Sequence, residues 1–311
     1  MTVTVGIDLG GTKVQGVVLD GDEVRADAKV ETPETGGPDD VVRAIAECVE
    51  QLGGVKHVDG VGLGAPGIID GRTGEVLRAP NLPGFDAPVA LGALVADAIG
   101  VKRVAVGNDV SVGTLAEHEL GAGKGVDELL GVFVGTGVGG GLVLRGELYS
   151  GSTGAAGEIG HVVLRGRDRI CGCGGTGHLE AYAGRAGLER EARLRHAEGE
   201  ATVLVDLAGD GRMKSNVWQK AVDAGDAMAL SLIDDAVEAL GEALASASNL
   251  LDLSLIVVGG GLADKLGPGF VGRVEEATRH RLFVRSSPLR VLPATLGDLG
   301  GATGAALLAR R

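Results

Sequence analysis

From Val3 onward the chain runs through three β-branched stretches, VTVGIDLGG, VQGVVLD and VRADAKVET, each bounded by turn residues, and this pattern predicts a β-hairpin arrangement with a Gly-Asp turn before the third run. The period then changes. Asp39 to Leu52 reads as a helix with Asp39 or Asp40 as its cap. A strand (VDGVGLGAPG), a loop to Asn81, a helix (VALGALVADAIG) and a strand (VKRVAVGND) follow. The order restarts in LLGVFVGTGVGGGLVLRGELY, two strands around a glycine loop, as in GIDLGGTKVQGVVLD. Such a period is too long for a solenoid and points to two similar domains, with a boundary near Gly121 to Gly125. Helical segments follow over Gly177 to Ala197 and Val217 to Leu250, where Leu232, Ala236, Ala239, Ala243 and Ala247 keep three-four spacing. The strand LSLIVVGGG and a helix from Gly300 to Arg311 close the chain.

A length of 311 residues exceeds one domain of ~100 to 200 residues, in keeping with that division. Hydrophobic residues make up 44% but aromatics only 2%, with 56 glycines, so the core is aliphatic, the turns are many, and an α/β class is expected. The net charge of -13 repels a phosphate backbone and excludes nucleic acid as a partner. MTVTVGIDLGGTK lacks the basic start and apolar run of a signal peptide, and the uncharged stretch Leu129 to Leu144 is too short and glycine-rich to span a bilayer. No membrane partner and a cytoplasmic location are therefore expected. The three cysteines form no disulfide framework; Cys48 reads as core packing, and Cys171 and Cys173 as a cluster with metal or redox chemistry.

Three features carry candidate chemistry. Asp8-Leu9-Gly10-Gly11-Thr12-Lys13 and Gly135-Thr136-Gly137-Val138-Gly139-Gly140-Gly141 are glycine loops that let backbone N–H groups approach an anion. A tight hairpin would also use glycine; the matching places in the repeat favour a nucleotide held between two lobes. The Walker pattern is absent, since Lys124 is followed by glycine. Gly62-x-Gly64-x-x-Gly67 and Gly135-x-Gly137-x-x-Gly140 have dinucleotide spacing, but Pro66 interrupts the first and the strand-like LVLRGELY follows the second, where that fingerprint requires a helix. Asn108 and Asp109 lie between a strand and a helix, where a helix cap and a general base are both open. Glu158 and His161 share a face if helical. His161, Cys171, Cys173 and His178 offer four zinc-competent side chains within eighteen residues; a redox pair and an unmetallated loop are the alternatives.

DLGGTK at 8 to 13, GAPG at 64 to 67, Asn81-Leu82, Asn108-Asp109, GTGVGGG at 135 to 141, GEIGH at 157 to 161, Cys-Gly-Cys-Gly at 171 to 174, Glu180 and VVGGG at 257 to 261 stand in an order that resembles the ROK (repressor, open reading frame, kinase) family, and within it the bacterial glucokinases. The resemblance spans essentially the whole chain. It implies a two-lobed actin-like (ribonuclease H-like) ATPase fold, with residues 1–121 as the N-terminal lobe, joined by the closing helix 300–311, and residues 122–299 as the C-terminal lobe. It implies an ATP-dependent hexokinase of glycolysis that phosphorylates the 6-hydroxyl of glucose, with mannose, fructose, N-acetylglucosamine or N-acetylmannosamine as alternative acceptors.

By that resemblance Asp109 is the base, and Gly67, Asn81, Asn108, Glu158, His161 and Glu180 surround the sugar. Asp8, Gly10, Gly11, Thr12, Lys13, Gly135, Thr136 and Gly137 serve the ATP phosphates and Mg2+, and Gly259, Gly260 and Gly261 lie under the adenosine. His161, Cys171, Cys173 and His178 hold a structural Zn2+. Relatives with this site usually carry a third cysteine where this chain has His178, and often Asn where it has Ser111. A sugar-sensing repressor of the family needs a helix-turn-helix domain ahead of the kinase-like part; with the phosphate loop beginning at Asp8 there is no room for one. The resemblance also implies a homodimer or homotetramer.

Overall fold

The computed structural model describes residues 2–79 and 82–311. Strands β1 (Val3–Leu9), β2 (Lys13–Asp20) and β3 (Glu23–Glu31) form the expected antiparallel meander. Helix α1 (Pro38–Gln51) is capped by Gly37, with Asp40 at N3 accepting a hydrogen bond from the Gly37 N–H at 3.0 Å. Neither Asp39 nor Asp40 is the cap residue, because Pro38 already occupies the first helical turn, the place its fixed φ suits. After β4 (Gly60–Ala65), the stretch expected as loop folds into a hairpin of β5 (Ile68–Asp70) and β6 (Glu75–Arg78), strands too short for alternation to reveal. Helix α2 (Leu91–Ile99), β7 (Ala105–Asn108), α3 (Asp109–Glu119), β8 (Leu129–Val134), β9 (Val138–Leu144) and β10 (Glu147–Tyr149) follow.

The helical half is more broken than the spacing predicts. Gly184, with extended backbone, separates α4 (Glu180–Ala183) from α5 (Arg185–Ala197). A short α6 (Val203–Ala208) precedes α7 (Ser215–Asp223). Gly225 at φ 72° then turns the chain, and Asp226 caps α8 (Ala227–Leu251) by accepting from the Ala229 N–H at 2.8 Å. Beyond β11 (Leu255–Gly259) comes an unexpected helix, α9 (Gly261–Arg279), whose apolar period is interrupted where Gly267 at φ 75° precedes Pro268. Strand β12 (Arg290–Pro293) and α10 (Gly300–Leu308) complete the chain.

Two compact units result: Met1–Gly125, Gly141–Gly157 and Thr295–Arg311 form the first, Val126–Gly140 and Glu158–Ala294 the second. Residues 122–125, 141–157 and 295–299 thus fall in the first unit rather than in a 122–299 lobe. Side-chain chemistry explains this: a Cβ on Gly141 would lie 2.4 Å from the Thr114 hydroxyl, and the Glu117 carboxylate accepts from the backbone N–H groups of Thr295 (2.8 Å) and Leu296 (2.9 Å).

The sheet orders bear out the repeat. The first sheet runs β3-β2-β1-β4-β7 and the second β10-β9-β8-β11-β12, each placing two antiparallel neighbours and then two parallel strands around its leading strand. In the first unit, α1 and α2 cover one face through a core of Val5, Ile7, Ile45, Cys48, Leu63 and Val95. On the other face α3 and α10 contribute Leu115, Ala116, Ala302, Ala306 and Leu307 against Val17 and Leu19. A Cβ on Gly6 would sit 1.9 Å from the Ala302 carbonyl oxygen, and one on Gly62 1.9 Å from that of Ala305. Glycines within β1 and β4 therefore let the α10 backbone touch the sheet. In the second unit β11 is parallel to both β8 and β12, and all five of its residues are buried.

Candidate active site

In the first unit the parallel strands β1, β4 and β7 end together: Asp8 pairs with Gly64, and Ala65 with Asn108. A Cβ built on Gly64 would lie 2.7 Å from Val112 Cγ2, so this glycine lets α3 pack against β4, and the same position is 3.5 Å from the Asp109 Cα and 3.6 Å from Asp8 Oδ1. The carboxyl ends of parallel strands are where α/β sheets place ligands. Burial pushes Asp8 up to about 7, the Asp109 charge adds to this, and Lys13 opposes it. Gly301, near the start of α10, sits against the same carboxylate, with its Cβ position 2.6 Å from Asp8 Oδ2.

Asp109 is the first residue of α3, half-buried, and its Oδ1 accepts from the Val110 N–H at 2.9 Å. Asn108 is the cap: its Oδ1 accepts from the N–H groups of Val110 and Ser111, both at 3.0 Å, while its Nδ2 donates to the Gly67 carbonyl at 3.1 Å. The capping role is thus present, and Asn108 also ties the Gly67 turn, at φ 94°, to the strand end. The Gly10–Lys13 turn closes through a Gly10 N–H bond to the Lys13 carbonyl (2.9 Å), and the Thr32 hydroxyl anchors the Gly10 carbonyl at 2.7 Å. Gly11 and Thr12 are exposed, and Lys13 pairs with Asp298 at 3.4 Å. Asn81 lies outside the described residues.

The second unit holds the other candidates. Gly135, Thr136 and Gly137 turn between β8 and β9, with the Gly135 N–H bonded to the Gly137 carbonyl at 2.9 Å. Glu180 Oε2 accepts from the Val138 N–H at 3.1 Å, and Gly137 lacks a Cβ where one would meet that oxygen at 2.1 Å. Gly259 ends β11, Gly260 at φ 90° caps α9, and Gly261 opens it. This helix start escaped the periodicity reading, as did Arg185, which donates to the Thr136 hydroxyl at 2.7 Å.

Four donor side chains converge beside Glu180. His161, Cys171, Cys173 and His178 have ligand atoms all within 4.8 Å of one another. His161 Nδ1 stands 3.3 Å, and Cys173 Sγ 3.2 Å, from His178 Nδ1. A zinc tetrahedron with ~2.0–2.3 Å bonds has edges of roughly 3.3–3.8 Å; the two short separations are close to these, the 4.8 Å limit is wider, and the four donors form a candidate metal site. His161 Nε2 faces Glu158 at 3.8 Å, an outer-shell carboxylate for a ligating imidazole. Glu158 and His161 do share a face, flanking a single 3-10 turn at Ile159–His161. Burial pushes the Cys171 thiol up to about 12, which argues against a reactive thiolate at rest. Arg167 and Arg169 stack on the Tyr182 ring at 4.7 and 4.6 Å and tie the segment before the cysteines to Asp235 and Glu242 of α8.

Comparison with known proteins decides the family, since the ROK family matches residues 4–311. The chain belongs to the ROK family. It is 33% identical to the Streptomyces coelicolor glucokinase over 317 residues, covering 100% of this chain and 98% of that one. It is 32% identical to the Thermotoga maritima glucokinase, covering 87% of this chain and 90% of the relative. The structure of a ROK family glucokinase from Streptomyces griseus, in complex with glucose and AMPPNP, superposes with a TM-score of 0.85 at 33% identity over 99% of both chains. The architecture is accordingly the two-lobed actin-like ATPase fold of ROK glucokinases.

Proposed function

We propose that this ROK protein is an ATP-dependent glucokinase that transfers the γ-phosphoryl group of ATP to the 6-hydroxyl of glucose, giving glucose 6-phosphate, ADP and a proton. The observation that carries the reading is the pair of carboxylates, Asp8 near the end of β1 and Asp109 just after β7, in a chain that matches a glucose- and AMPPNP-bound relative along its full length. Asp109, at the start of α3, accepts the 6-hydroxyl proton as the oxygen attacks phosphorus. Phosphoryl transfer needs positioning and charge stabilisation rather than covalent help. Asn108 orients the Gly67 turn, while Glu158, His161 and Glu180 address the remaining hydroxyls, as does Asn81.

Gly10 to Lys13 and Gly135 to Gly137 present N–H, hydroxyl and ammonium donors to the phosphates, and Gly259 to Gly261 lie under the adenosine. Asp8, held near neutrality, is suited to gain its charge when Mg2+ arrives; that ion would neutralise the phosphate oxygens. His161, Cys171, Cys173 and His178 would hold a structural Zn2+, which fixes the ring that also faces the sugar. Three unpaired cysteines suit a reducing cytoplasm, and the assembly is a homodimer or homotetramer. The test uses ATP and Mg2+ with glucose or 6-deoxyglucose: ADP release with glucose alone supports the reading, and equal release with both, or none, overturns it.

A further inference from the structure

The half-buried guanidinium of Arg185 is bonded to two neutral hydroxyls and, among the described residues, to no carboxylate. It donates from Nη2 to the Thr136 hydroxyl at 2.7 Å and from Nη1 to the Ser215 hydroxyl at 2.9 Å. Its backbone adds to the same anchorage: the Arg185 N–H bonds the Gly135 carbonyl at 3.0 Å, and the Ala186 N–H bonds that of Thr136 at 2.9 Å. Ser215 opens α7, and its Oγ lies 3.6 Å from where Gly261 would carry a Cβ. One side chain therefore joins the glycine turn after β8 to the glycine start of α9.

Glu189 and Arg212 are the charged groups that act on this guanidinium. Glu189, the acid nearest in effect, is already committed, bonding Arg193 at 2.9 Å and accepting from the Met213 N–H at 3.0 Å. Burial works most strongly against the charge on Arg185, Glu189 supports it, and Arg212 opposes it more weakly than Glu189 supports it. A guanidinium has five N–H donors, of which these hydroxyls use two. A half-buried guanidinium whose side-chain bonds go to neutral hydroxyls, with donors to spare, is arranged for an anion.

We infer that Arg185 is a nucleotide-phosphate ligand of this enzyme, binding the phosphate chain of ATP and of product ADP while its hydroxyl contacts hold the Gly135–Gly137 turn. This rests on the glucokinase reading for the identity of the anion. Isothermal titration with Mg-ADP and, separately, with glucose tests it in the wild type, R185A, R185K and R185Q. Loss of a charge-assisted contact is expected to weaken ADP binding in R185A on the order of tenfold, with glucose affinity unchanged. R185K should recover part of the loss, since it restores the charge without the fork, and R185Q should not. A merely structural arginine would weaken both ligands together, and R185Q would then rescue as well as R185K.

Unchanged ADP affinity in folded R185A overturns the inference. If R185A fails to fold by circular dichroism, R185K and R185Q decide it, and equal ADP affinity in those two overturns it. Failure of the glucokinase reading shows separately, as a wild type that binds ADP yet phosphorylates no sugar.

Discussion

Asp8→Asn should stabilise the unliganded protein at neutral pH while abolishing its activity. In the folded chain the Asp8 carboxyl is raised from 3.8 to about 7, chiefly by burial and then by Asp109. A folded-state value above the unfolded one means that the native state binds the proton more tightly. Stability is then greatest below pH ~4, declines as pH rises from ~4 to ~7, and is level above that. Roughly three pH units at ~1.36 kcal/mol each set an upper limit near 4 kcal/mol. Asp8 keeps some solvent contact, so screening reduces the expected gain from the neutral amide to about 1–3 kcal/mol at pH 8. Urea unfolding of wild type and D8N without Mg2+, at half-unit steps from pH 4 to 8, measures it: the gap should open with rising pH and close towards pH 4. A gap independent of pH, or a D8N protein less stable than wild type at pH 8, would refute the reasoning. Such a stability gain at the cost of function is the usual mark of a functional carboxylate.

Asp109→Asn should lower kcat by ~10²–10⁴ with glucose binding retained, read by steady-state kinetics and calorimetry; wild-type turnover removes Asp109 from the base role. Protein purified without chelator should carry one zinc per chain by metal analysis, H178A should lose it and H178C should keep it, whereas a metal-free wild type contradicts the donor geometry. Glu117→Ala should destabilise the first unit by roughly 3 kcal/mol or more, because the carboxylate accepts from the N–H groups of Ala122, Thr295 and Leu296 and from the Thr295 hydroxyl; a melting temperature within error of wild type would show those groups finding water instead.

Long strands and repeated loops were legible in the sequence for a physical reason. The β1–β3 meander and the β8–β9 hairpin are runs of β-branched residues bounded by turns, a signal that is local. The β5–β6 hairpin, with strands of three and four residues, had too few positions to show alternation. Helix α9 was hidden because glycine opens it and Gly267-Pro268 breaks its period. At the site, the four candidate metal donors, spread over eighteen residues, and the cap at Asn108 could be read from spacing, since each is set by nearby chain. Arg185 and Glu117 could not: their partners at Ser215 and Thr295 lie 30 and 178 positions away, and only folding joins them.

The central claim is settled most directly by ADP release from ATP and Mg2+ with glucose, mannose, fructose, N-acetylglucosamine and N-acetylmannosamine in parallel. The account predicts a rate selective for glucose that falls away in D109N. A rate selective for another sugar, or no release with any of the five, would contradict it.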